Sequence, residues 1–139
     1  MSMLSGYHAD AKRLIDKAEK SKIFPICFRF LREAFDIVDK HNEHQNSKLM
    51  KETIARIFIN KIPSIESVLI NIKGINALDI LLFIINLRDE ITKEIEDNPE
   101  SKDYFIGFIS LFGIKFDDEY FEQILLLISK KISERKSKE

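Results

Sequence analysis

The chain has 139 residues, 45% of them hydrophobic and 32% charged, which fits one folded domain and excludes a disordered composition. A formal net charge of -1 leaves no broad basic surface, so direct nucleic-acid binding is not expected. Cys27 is the one cysteine, which excludes an intrachain disulfide framework.

No basic-then-apolar leader lies between Met1 and Tyr7. The longest apolar run, Ile80 to Ile85, falls far short of the roughly 20 residues that a spanning helix needs. The expectation is a cytoplasmic protein without a transmembrane anchor. Along the chain, Tyr7, Ala11, Leu14, Ile15 and Ala18 recur at helical spacing. Pro25 suits the first position of a second helix, where its missing N–H costs nothing. From Ile26 to Val38, apolar residues including Cys27, Phe28, Phe30, Leu31, Ala34, Phe35 and Ile37 cover most of a helix circumference.

A polar loop, Lys40 to Asn46, leads to Ser47, which can cap a third helix carrying Met50, Ile54, Ile57 and Phe58. Pro63 and Ser64 break it and start a short fourth helix, with Val68, Leu69 and Ile72 inward and Gly74 at its end. The alternation Val68, Ile70, Ile72 also suits a strand. Asn76 then caps a central helix, with Asp79 in its first turn. Its first half, Leu78 to Leu87, has little polar surface, and its second half is amphipathic through Ile91 and Ile95.

Asn98 and Pro99 open the next helix, which holds Tyr104, Phe105, Phe108, Leu111 and Phe112 and is stopped by Gly113. Asp117 or Asp118 caps a last helix with Phe121, Ile124, Leu125, Ile128 and Ile132 inward. The basic stretch Lys130 to Lys138 suits a helix C-terminus. A short disordered tail is expected near 134–139. A helix apolar on nearly all sides must be surrounded by others. The expected fold is therefore all-α, a single domain over 1–139 with about seven helices wrapped around the Asn76 helix. The alternative is another irregular helical bundle.

The glycines at 6, 74, 107 and 113 form no phosphate-cradling motif. His41 and His44 lie in a polar loop near Asp39, with His8 elsewhere, and read as solvated residues, not metal ligands. Cys27 sits in an apolar helix without a nearby basic activator and reads as structural. Asp117, Asp118 and Glu119 are explained by capping and the helix dipole. The residues therefore point away from an enzyme, with no cofactor and no metal.

Three segments, in order, resemble the Bcl family of apoptosis regulators. Leu31-Arg32-Glu33-Ala34-Phe35-Asp36 is similar to the family's third homology region, which pairs a leucine with an aspartate five residues on. Gly74-Ile75-Asn76, followed by Ile80 and Phe83, is similar to the first homology region, which opens the central helix. Phe116-Asp117, with Phe121 behind it, resembles the second. Phe35 stands where the family usually has a small residue, and Asp79 where it has the arginine that pairs with a ligand's aspartate. Ala77 and Leu78 replace its tryptophan and glycine. The short chain looks more like the divergent cytosolic members made by large DNA viruses.

That resemblance implies a non-enzymatic, viral-type inhibitor binding an amphipathic helix of a host death or innate-signalling protein. The implied groove is lined by Leu31, Phe35, Val68, Leu69, Ile72, Asn76, Asp79, Ile80 and Phe83. A different reading is a helical scaffold that self-associates or joins a complex. Tyr104, Phe105, Phe108 and Phe112 exceed what one inward face needs, and so would form a homodimer contact.

Overall fold

The computed structural model describes residues 6–41, 45–62 and 77–137. These residues form seven helices, and no strand occurs among them. The chain divides into two compact units, between Ile72 and Lys73. The expected fourth helix, the Val68 to Ile72 alternation, Gly74 and the Asn76 cap lie outside the described residues.

The first unit holds α1 (Gly6–Lys20), α2 (Phe24–Lys40) and α3 (Gln45–Asn60). Helix α1 buries His8, Ala11, Ile15 and Ala18, a narrow stripe whose alanines let α2 approach closely. Helix α2 buries one face, Phe24, Cys27, Phe28, Leu31, Ala34, Phe35 and Val38, at the spacing of a helix core stripe. Its circumference is less completely covered than the composition suggests: Phe30 and Ile37 are half-buried and Ile26 is exposed. Pro25 follows Phe24, so it occupies the second helical position, still within the turn that lacks N–H partners.

Helix α3 packs on both α1 and α2 through Ile54, Ala55, Ile57, Phe58 and Ile59. Phe28 and Phe58 bring their rings within 6.4 Å across the α2–α3 contact. The helix begins at Gln45, so Ser47 is no cap; it lies inside the first turn, buried. At the other end, Lys61 Nζ donates to the carbonyls of Glu19 and Ser21, both at 2.9 Å. A lysine 40 residues away thus serves the open carbonyls at the end of α1.

The second unit holds α4 (Ala77–Asn86), α5 (Arg88–Asp97), α6 (Pro99–Ser110) and α7 (Tyr120–Ser137). The expected single central helix is broken at Leu87, whose φ of -109° and ψ of 20° leave the helical region. Asp89 and Glu90 then fall in the first turn of a new helix, where carboxylates oppose the dipole. The break lets an apolar α4 and an amphipathic α5 each follow its own axis. Leu87 itself is fully buried, together with Leu81 and Ile84. Leu82 of α4 is nonetheless 37% exposed, so this helix is not covered on every side.

Asn98 ends α5 and caps α6, its side chain accepting from the Glu100 N–H at 3.1 Å, with Pro99 next in line. Helix α6 ends as its sequence requires. Ile114 N–H reaches back to the Ile109 carbonyl at 3.2 Å and Gly113 N–H to Ser110 at 3.0 Å, with Gly113 at φ 75°. Gly113→Ala is expected to lower stability by about 1 kcal/mol in a denaturant titration, because a side chain there opposes the left-handed backbone.

Asp117 caps the start of α7, its carboxylate accepting from the Glu119 N–H at 2.8 Å and from Gln123 Nε2 at 3.1 Å. Gln123 also bonds the Lys115 backbone through both of its amide atoms, each at 3.0 Å. Helix α4 packs along α7, and α5 along α6. Residues 134–137, expected as tail, continue α7 to Ser137, favoured by Arg135 and Lys136 at its negative end.

Candidate functional site

The groove residues expected from the sequence divide between the two units. In the first, Leu31 is fully buried and Phe35 is 6% exposed, both within the core face of α2. In the second, Ile80 and Phe83 are buried on α4, and Asp79 is half-buried in its first turn. Val68, Leu69, Ile72 and Asn76 lie outside the described residues. The described apolar members are all buried.

The residues named for self-association lie on α6 or just beyond its end. Phe105 and Phe108 are fully buried. Phe105 meets Tyr120 edge-on at 5.8 Å, and Phe108 meets Phe112 at 5.4 Å. Those contacts absorb the apparent aromatic excess. Tyr104 and Phe112 remain half-buried, and the Tyr104 hydroxyl bonds the Glu100 carboxylate, which holds the phenol's proton above its usual range. Tyr120 is also shifted upward, chiefly by burial.

Cys27 is fully buried, and that burial pushes its thiol up to about 11, against a smaller opposing pull from the Lys61 cation. The thiolate is the nucleophile, so this sulfur is chemically quiet at neutral pH. The folded chain is expected to resist iodoacetamide at pH 8 and to react only on unfolding, as mass spectrometry would show. The sign is that of an acid whose folded pKa is raised. Between about 8.5 and 11 the unfolded chain loses this proton and the native one keeps it, so stability falls through that window.

His8 and His41 take a structural arrangement that the sequence does not announce, while His44 lies outside the described residues. His8 is fully buried, with Nε2 2.9 Å from Ser47 Oγ, and Ser47 Oγ donates to the His41 carbonyl at 2.6 Å. With the hydroxyl proton spent on that carbonyl, the imidazole is the donor in the pair. The serine is therefore not poised as a nucleophile. Tyr7 stacks on the His41 ring at 3.4 Å between centroids. Beside this cluster Lys51 pairs with Asp39 at 2.8 Å and lies over the Phe35 ring. No grouping of metal-ligating side chains occurs among the described residues.

Comparison with known proteins adds no relative. The chain matches no family model, no curated protein and no solved structure. No described helix is long and apolar enough to cross a membrane.

What remains is surface. In the first unit, a groove of about 260 Å³ between α1 and α3 has Ile15, Leu49 and Met50 on its walls with Lys12, Asp16 and Glu19 around them. In the second, α7 turns Tyr120, Ile124 and Ile128 into the core and leaves Leu125, Leu126 and Ile132 at 43%, 72% and 37% exposure. Leu125 and Ile132 were expected inward. For Leu125 the signal is in the run Ile124 to Ile128, because five consecutive apolar residues cannot share one helix face.

Proposed function

We propose that this protein is a non-enzymatic, cytoplasmic helical interaction protein that works by presenting apolar helix surface to another protein. The outer face of α7 carries the reading. Three large aliphatic residues stand in water there, on a helix whose other side already fills the core. Covering a fully exposed leucine contributes about 1.5–3 kcal/mol, so such a face has a standing drive toward a partner. Grouped exposed apolar residues mark contact sites, whereas scattered ones need no explanation.

In its narrower form the proposal is a Bcl-like inhibitor of viral type, with helices gathered around a central apolar one and a host death or innate-signalling protein as partner. The match of residues 31–36 and 74–83 to the family's homology regions supports it. So do the helical state of Leu31 to Asp36 and the strongly apolar character of α4. Asp79 repels the aspartate of a death motif, which favours the signalling branch.

The test is titration of the wild-type chain and Asp79→Arg against a panel of amphipathic death-motif peptides. The Bcl-like form expects Asp79→Arg to bind at least about tenfold more tightly than wild type, the scale of one charge pair turned from repulsive to attractive. No binding by either protein at micromolar concentration across the panel would overturn the apoptosis reading.

A further inference from the structure

The outer face of α7 has a second property beyond exposure: its sequence is self-complementary when reversed. Glu122, Ser129 and Lys136 recur every seventh residue, with Leu125 and Ile132 three residues after the first two of them. Leu126 and Ser133 lie beside these. That is the seam spacing of a paired helix, and all seven residues are exposed. The acidic residue stands at one end of the seam, the basic residue at the other, and the small serine midway between them.

We infer that the partner of this face is a second copy of the chain, docked antiparallel along α7 with Ser129 on the two-fold axis. The inference rests on the interaction reading above and names its occupant. About that axis Glu122 faces Lys136 of the other copy at both ends, Leu125 packs against Ile132 along one edge of the seam, and Leu126 packs against Ser133 along the other. The paired stretch is about 21 Å long. A serine at the crossing lets the two backbones approach closely, as small residues do at helix contacts. The same face contacts itself, as a two-fold interface requires.

Charge selects both the partner and the direction. In a parallel pair Glu122 would meet Glu122 and Lys136 would meet Lys136. Reversal turns both contacts into attractions and sets the two helix dipoles against each other favourably. The wider pattern agrees: Asp118 and Glu119 precede α7, and Lys130 and Arg135 lie in its second half, offset in part by Glu134.

Cysteine scanning reads this register directly, since Cys27 is buried and does not compete. Under mild oxidation of the full-length chain, Ser129→Cys is expected to form a covalent dimer, and Leu125→Cys is not, because its counterpart in the other copy is Ile132. Cross-linking at both positions would indicate a parallel pair and overturn the proposal. In sedimentation, Leu125→Glu is expected to weaken association about 100-fold, as loss of the apolar anchor at both symmetric contacts does. Glu122→Lys alone is expected to weaken it about tenfold, and Glu122→Lys combined with Lys136→Glu to restore it.

Circular dichroism checks that each variant keeps its helices, which substitutions at exposed positions should allow. Association that survives Leu125→Glu would overturn this interface while leaving an interaction protein. A wild-type chain that is monomeric up to about 1 mM, the range of weak association, would overturn self-pairing, and the peptide titration would then decide the broader reading.

Discussion

Phe108→Glu is expected to abolish the folded state of the helices between residues 77 and 137. Phe108 is fully buried in the second unit, its ring edge-on to Phe112. Truncating a buried phenylalanine costs about 3–5 kcal/mol through lost transfer energy and the cavity left behind. A carboxylate in its place adds a desolvation penalty of several kcal/mol. The sum is comparable to the whole stability of a typical domain, about 5–15 kcal/mol. Circular dichroism should show a large loss of helical signal, and hydrogen exchange should show lost protection across α4 to α7. If Phe108 instead formed an exposed dimer contact, the same change would leave the helices intact and alter only association. Phe112→Glu, at a half-buried position, should have a much smaller effect.

Leu31→Ala is expected to lower stability by about 3 kcal/mol, seen as a lower denaturant midpoint with unchanged slope. Leu31 is fully buried on α2, in the stripe that also contains Cys27 and Ala34. Leu31→Met, which nearly conserves volume, should cost less than about 1.5 kcal/mol. A residue that mainly lined an open pocket would behave otherwise. Its alanine variant would keep the wild-type midpoint and lose only ligand affinity.

These two residues show where sequence reading reached and where it stopped. The helical character of the chain was legible from periodicity, and Asn98-Pro99, Gly113 and Asp117 mark the ends that they occupy in the structure. Those positions are local: a cap or a left-handed glycine acts on backbone groups within a few residues. The break at Leu87 was harder to see, because no capping side chain announces it, only the switch from apolar residues to Arg88-Asp89-Glu90. Ser47 suits a cap because serine often is one, yet its hydroxyl serves the His41 carbonyl and the buried His8. That role depends on α1, a partner 39 residues away.

The candidate site was less legible than the fold for a related reason. Which apolar residues are buried depends on which helices meet, and periodicity does not specify the neighbour. Tyr104, Phe105, Phe108 and Phe112 exceed one inward face when α6 is taken alone, but in the structure Phe105 meets Tyr120 and Phe108 meets Phe112. On α7, Phe121, Leu125 and Ile132 fit an inward stripe as well as Tyr120, Ile124 and Ile128 do. Packing against α4 turns the latter set inward, and the face left outside is the one that carries the proposed function.

Hydroxyl-radical footprinting of the full chain over a dilution series addresses that face most directly. At low concentration Leu125, Leu126 and Ile132 should be modified strongly, and Ile124 and Ile128 weakly. At high concentration protection should develop at the first three residues, most at Leu126, with the pattern elsewhere unchanged. Equal modification of Ile124 and Leu126, or labelling of Leu126 that stays constant at every concentration, would contradict an outer α7 face that pairs with its own copy.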